Sequence, residues 1–166
     1  MKVIFLDCDG VINCAEFYSQ MSPKLKKLKA GSSVEDELKL LVNPVMVERV
    51  NQITRATGAK IVWSSSWRGA WLIENDYASI PQFFKDIGIE GEVVGVTPED
   101  GEHFSHPHYC RGNQIHNWLD QHPEVTKFII LDDSSDMGAL RGHLVRPTWE
   151  CGLQDEHVEA AIRKLN

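Results

Sequence analysis

Apolar runs recur along the chain, the first unbroken and the third interrupted by Gly95, and polar residues follow each one at once. Val3, Ile4, Phe5 and Leu6 make the first run; residues 60–63, 92–96, 128–131 and a short 143–145 make the others. A run without polar alternation marks a strand covered on both faces, as in a parallel sheet. Between the runs the apolar spacing changes to that of helices. Asn43 reads as an N-cap before Pro44, Met46, Val50, Ile53 and Thr57 recur on one face, and Gly58 is the stop. Ser79 reads as the cap of a helix carrying Ile80, Phe83, Phe84 and Ile87 and ending at Gly88. Residues 111–122 set Ile115, Trp118 and Leu119 on one side. A last helix opens near Gly152, with Asp155 and Glu156 where acids suit the helix dipole, and Val158, Ala161, Ile162 and Leu165 facing inward. Strands alternating with helices predict an α/β fold on a parallel five-stranded sheet.

One stretch breaks the alternation. Residues 14–41 exceed an ordinary strand-to-helix connection and hold Lys24, Lys26, Lys27 and Lys29 close together. Two readings stand: a solvated lysine-rich face, or a strip that attracts phosphate near a site. At 166 residues the chain is long enough for one domain with a real core, so a single domain over 1–166 is expected, with 14–42 a small cap or mobile insertion. The formal charge of −7 argues against a globally basic nucleic-acid binder and leaves room for a local patch. No signal-like cationic and apolar leader opens the chain and no run is long enough to span a bilayer, so a cytoplasmic location without a membrane partner is expected. Cys8, Cys14, Cys110 and Cys151 are scattered without paired spacing, which fits reduced thiols.

The residues just past the strands carry the candidate chemistry, because the carboxyl ends of parallel strands face the ligand crevice. Asp7 and Asp9 follow the first strand, and Gly10 lets the backbone turn sharply. Carboxylates this close call for a cation, and hard oxygen ligands suit Mg²⁺. Ser64, Ser65 and Ser66 follow the second strand, where hydroxyls and turn N–H groups make an oxyanion cradle. Arg68 offers a fork of donors for a second phosphate or a neighbouring phosphodiester. Trp67 and Trp71 either pack in the core or, for Trp67, meet the substrate. Asp132, Asp133 and Asp136 follow the fourth strand and again imply a cation. His103, His106, His108 and Cys110 offer zinc-type ligands after the third strand, but their spacing matches no closed four-ligand pattern, so a solvated loop is expected. Arg146 and Trp149 lie past the fifth strand, lining the crevice or packing. Lys60 and Lys127 precede their strands and so lie at the far end of the sheet.

The first strand with D-C-D-G-V resembles motif I of the haloacid dehalogenase (HAD) superfamily of phosphohydrolases. The resemblance implies Asp7 as nucleophile, Asp9 as general acid and then base, and Mg²⁺ held by Asp7 and the backbone carbonyl of Asp9. It implies Ser64 as the motif II hydroxyl and Arg111 as the motif III cation. From motif IV it implies Asp133 as the first further metal ligand, Asp132 as the second, and Asp136 in an outer shell. The set L-D-x-D-G-V-I-N, S-S-S-W-R, R-G-x-x-I-x-x-W-L and L-D-D is most similar to HAD domains of bacterial and phage RNA-repair proteins, with polynucleotide phosphatases as cousins. What this implies is a HAD-like Rossmannoid three-layer α/β/α fold with a minimal cap. The implied activity is a Mg²⁺-dependent phosphomonoesterase working on nucleic-acid ends or nucleotides through an aspartyl phosphate. Ser65, Arg68 and Trp67 are then expected to contact the phosphorylated substrate. A small-metabolite phosphatase is the closest rival, and a non-catalytic phosphate-binding module or partner subunit is the alternative of another class.

Overall fold

A computed structural model describes residues 1–28, 31–98 and 110–166. Lys29, His103, His106 and His108 lie outside the described residues. Among the described residues, β1 (Lys2–Leu6), β2 (Lys60–Trp63), β3 (Val93–Val96), β4 (Lys127–Leu131) and β5 (Leu144–Val145) form one sheet in the order β3-β2-β1-β4-β5. Every neighbouring pair is parallel. Parallel strands cannot be joined by a hairpin, so helices fill the crossovers. These are α1 (Ala15–Leu25), α2 (Val34–Leu41) and α3 (Pro44–Thr57) after β1, and α4 (Trp67–Glu74) and α5 (Ile80–Asp86) after β2. After β3 comes α6 (Arg111–Asp120), and after β5 comes α7 (Asp155–Leu165). The chain winds outward from β1 to β3 and then returns to the other side of β1 for β4. A crevice opens where the winding reverses, at the carboxyl ends of the strands.

The alternation of side chains along β1 splits the core into two layers. Ile4 and Leu6 enter one layer with Val50 and Ile53 of α3, Phe83 of α5 and Leu165 of α7. Val3 and Phe5 enter the other with Ile115 and Trp118 of α6. Helices therefore cover both faces, giving the three-layer α/β/α arrangement. All four apolar residues of β1 are fully buried, and each such side chain contributes roughly 1.5–3 kcal/mol of transfer free energy. Trp63, at the end of β2, packs its ring 5.3 Å from Phe84 and 5.8 Å from Phe83, so the strand end next to the serine run is rigidly seated.

Several local expectations are refined. The stretch 14–41 holds α1 and α2. Ser33 and Asp36 form a reciprocal capping box at the start of α2, which sinks Leu38 into the core, whereas α1 buries none of its residues despite the internal Pro23. Lys24, Lys26 and Lys27 are exposed. Ser79 does not cap α5 with its side chain. Asp76 does the capping instead, accepting from the Ser79 backbone N–H at 3.0 Å to start a short 3-10 turn that leads into the helix. Asn43 does accept from the Val45 N–H, and Gly58 ends α3 in the left-handed region at φ 66°. Among the described residues no helix is long and apolar enough to cross a membrane.

Candidate active site

Strand register brings the site together. Leu6 pairs with Trp63 on one side and with Leu131 on the other, so Asp7, Ser64 and Asp132 are the next residues on three adjacent strands. The ladder runs one step further: the Asp7 N–H donates to Leu131 O at 2.9 Å, and the Ser64 N–H donates to Leu6 O at 2.8 Å. With a period of two, these three side chains continue the face of Phe5, Val62 and Ile130, the face that α6 covers. Arg111, the first residue of α6, accordingly stands over them. Its Nη1 lies 3.6 Å from Asp7 Oδ1, and its Nε lies 3.5 Å from Asp132 Oδ2.

Asp136 explains why α6 begins where it does. Its Oδ2 accepts from the Arg111 backbone N–H at 3.1 Å, and its carbonyl accepts from the Gly112 N–H at 3.2 Å. A carboxylate here satisfies helix donors that have no partner within the helix, and it complements the dipole. Asp136 is thus a cap supplied across the chain. Its side chain does not belong to the acidic group described next.

Asp7, Asp132 and Asp133 each offer a carboxylate oxygen, and these oxygens lie within 4.8 Å of one another. Asp7 and Asp132 are buried, and Asp133 is half-buried. Burial pushes the pKa of Asp7 above the ordinary carboxylate range, against the opposing charge of Arg111 and hydrogen bonding from Ser65 and the Cys8 backbone. Burial and then the neighbouring Asp7 push Asp132 up in the same way. Asp133 is also raised, first by burial and then by Asp9. Asp132 Oδ1 accepts from the Ser134 N–H at 2.8 Å, but its buried Oδ2 has no hydrogen-bond donor among the described residues. Clustered hard oxygens, one of them buried with an ion pair to Arg111 but no hydrogen bond, fit an oxygen-seeking divalent cation such as Mg²⁺. Asp7, Asp132 and Asp133 are the residues that would hold it.

Gly10 makes the close approach of Asp133 possible. It sits at φ 70°, and a Cβ built on it would lie 2.5 Å from Asp133 Oδ2. Only a residue without a side chain fits there. From the other side, Arg146 Nε donates to the Asp133 carbonyl at 2.7 Å, so this cation past β5 braces the acidic loop.

Asp9 is not one of the three clustered acids, although its charge is near enough to raise the pKa of Asp133. Its Oδ2 accepts from the Trp67 indole Nε1–H at 2.9 Å, and its Oδ1 accepts from Asn13 Nδ2 at 3.0 Å. Asn13 Oδ1 in turn accepts from the Gly10 N–H at 3.0 Å. Asn13 closes the D-x-D-G-V-I-N stretch, and sequence reading assigned it no role. Its position four residues after Asp9, across a tight turn in which the Ile12 N–H donates to Cys8 O, was the available signal.

The S-S-S-W-R stretch divides its work. Ser64 is buried and its Oγ accepts from Thr97 Oγ1 at 3.4 Å. The Trp67 backbone N–H donates to Ser65 Oγ at 3.3 Å. Arg68, expected to reach the substrate, is only 2% exposed; it donates to Ser65 O at 2.6 Å and to Gln114 Oε1 at 2.9 Å. That buried fork ties the loop after β2 to α6. Lys127, at the opposite end of the sheet, donates to Asn166 O.

Among the comparisons with known proteins, the family model described as "HAD domain in Swiss Army Knife RNA repair proteins" matches residues 3–158. No curated protein and no solved structure matches the chain. The match runs from β1 into α7 and so takes in every residue of the acidic group, the serine loop and Arg111. The chain belongs to the family of HAD domains of Swiss Army Knife RNA repair proteins, a branch of the HAD phosphatase superfamily.

Proposed function

We propose that the protein is a Mg²⁺-dependent phosphomonoesterase that removes terminal phosphates from nucleic-acid ends, working through an aspartyl phosphate on Asp7. The observation that carries this reading is the convergence of Asp7, Asp132 and Asp133 under Arg111. Asp7 attacks phosphorus in line, forming one P–O bond as the ester P–O bond breaks. Asp9 gives its proton to the departing oxygen. Asp9 then takes a proton from water as that water attacks phosphorus and returns Asp7 to a carboxylate. Ser64 and Arg111 stabilise the charge on the equatorial oxygens. The cation, when bound, neutralises phosphate charge and keeps Asp7 ionised despite its burial. Arg68 is assigned to holding the Ser65 turn, and Trp67 to Asp9, rather than to the substrate. Support for a polynucleotide comes from the RNA-repair family and from the exposed Lys24, Lys26 and Lys27 in and just past α1.

The test is release of phosphate from p-nitrophenyl phosphate and from 3′- and 5′-phosphorylated oligonucleotides, with Mg²⁺ and with EDTA. Turnover is expected only with Mg²⁺, and Asp7→Asn is expected to abolish it while circular dichroism and melting remain those of a folded protein. Mg²⁺ is also expected to raise the melting temperature, as any ligand selective for the native state does. An Asp7→Asn variant with undiminished turnover rules out the nucleophile. Phosphate binding without turnover on any ester favours the non-catalytic module. Preference for nucleotides or sugar phosphates over oligonucleotides, consistent with the acidic charge of −7, favours the small-metabolite reading.

A further inference from the structure

Asp9 is gripped at both carboxylate oxygens by groups that donate and cannot accept. The Trp67 indole N–H has no acceptor function. Asn13 could present either end of its amide to Asp9, but its oxygen is committed to the Gly10 N–H at 3.0 Å, so the NH₂ end faces Asp9 Oδ1. The clamp is stiff. Asn13 is 0% exposed, Trp67 is 7% exposed within the main apolar layer, and the Trp67 backbone is itself pinned to Ser65. Asp9 is half-buried, whereas Asn13, Ser65 and Trp67 are buried, and it follows β1 at the carboxyl edge of the sheet.

We infer that Trp67 and Asn13 are positioning residues that aim Asp9, closing the two directions they occupy so that its carboxyl gives or takes a proton only through its remaining lone pairs. This deepens the proposed function and rests on Asp9 being its general acid and base. Each carboxylate oxygen keeps one further lone pair beyond the bond it accepts. A proton placed there has no acceptor in Trp67 or Asn13, so it passes to the leaving oxygen. In the second half-reaction the same lone pair takes the proton of the attacking water. The arrangement also couples two parts of the site. Trp67 opens α4 directly after the Ser64–Ser65 turn, so the turn that cradles phosphate and the ring that aims the acid move together.

The experiment compares kcat/KM for phenyl phosphate and p-nitrophenyl phosphate, two esters of similar shape whose leaving oxygens differ in their need for a proton. General-acid assistance is worth about 10²–10⁴ in rate and matters most for the poorer leaving group. Trp67→Phe removes the indole donor and keeps an aromatic ring in the core. It is expected to lose at least about tenfold more on phenyl phosphate than on p-nitrophenyl phosphate. Asn13→Ala carries the same expectation without disturbing an aromatic ring. Asn13→Asp keeps the shape and the acceptor for Gly10 but turns a donor toward Asp9 into an acceptor, so it is expected to be worse than Asn13→Ala, whereas a structural role makes the isostere the milder change. Equal losses on the two esters for both Trp67→Phe and Asn13→Ala, or an Asn13→Asp variant milder than Asn13→Ala, overturn the assignment. Asp9→Asn is the control. If it discriminates between the esters and the clamp variants do not, the clamp alone is refuted. If it does not discriminate, the acid role of Asp9 fails and the clamp fails with it.

Discussion

Gly10 condenses the residue-scale logic of this site, since one missing side chain admits both the turn after β1 and the carboxylate of Asp133. Gly10→Ala meets two penalties at once: a left-handed backbone at φ 70°, and a Cβ 2.5 Å from Asp133 Oδ2. The backbone penalty alone is about 1–2 kcal/mol. Urea denaturation is expected to show at least that loss, and the melting-point gain on adding Mg²⁺ is expected to shrink because Asp133 has to move. At this scale the types of the site residues were legible: acids, hydroxyls and a cation at strand ends are the materials of phosphoryl transfer. Their partners were not. Arg68 reads as a substrate fork from its neighbours in the chain, yet it spends that fork on Ser65 and Gln114, forty-six positions away in the second case. Trp67 reads as packing or as a base platform, and its indole lies on Asp9.

At the scale of elements, local spacing was a good guide wherever the periodic residues are buried. The faces of α3 and α7 and the cores of β1, β2 and β4 lie where the apolar pattern set them. For α5 the spacing placed Ile80, Phe83 and Phe84 in the core but missed that Asp76 supplies the side-chain cap, and it gave no helix for α1, which buries nothing and contains Pro23. The cap of α7 is a further case. The Gln154 backbone N–H donates to His157 Nδ1 at 2.9 Å, so that nitrogen must be unprotonated. Burial lowers the His157 pKa below its ordinary value. The folded state therefore binds fewer protons at this site than the unfolded chain, whose histidine titrates near pH 6.5. Stability is expected to fall as pH drops through about 6.5 toward the lowered folded value, and to be unaffected by this group above it. His157→Gln is expected to flatten that part of the stability profile, measured by urea midpoints at a series of pH values.

At the scale of the whole molecule, charge is unevenly distributed. The chain carries −7, yet Lys24, Lys26 and Lys27 lie exposed in and just past α1, the helix that begins two residues after Asn13. If that basic strip meets the substrate, it steers a polyanion more than it steers a small ester. Reversing the three lysines to glutamate is therefore expected to raise KM for a phosphorylated oligonucleotide more than KM for p-nitrophenyl phosphate, with the gap narrowing as salt is added. Equal changes for both substrates would assign the strip to solubility alone.

Local chemistry along the chain was enough to specify alternating strands and helices and the acids and serines that end the strands, because period and turn preference act over a few residues; the superfamily was implied by the resemblance of those strand-end motifs. Which side chains meet was beyond its reach. The meeting of Asp7 with Asp132 depends on β1 pairing with β4 in a single register; the reach of Arg111 depends on α6 being started by Asp136; and the grip on Asp9 depends on α4 crossing above the first turn. Each is a contact between segments far apart in the chain, and only packing around a shared core selects it.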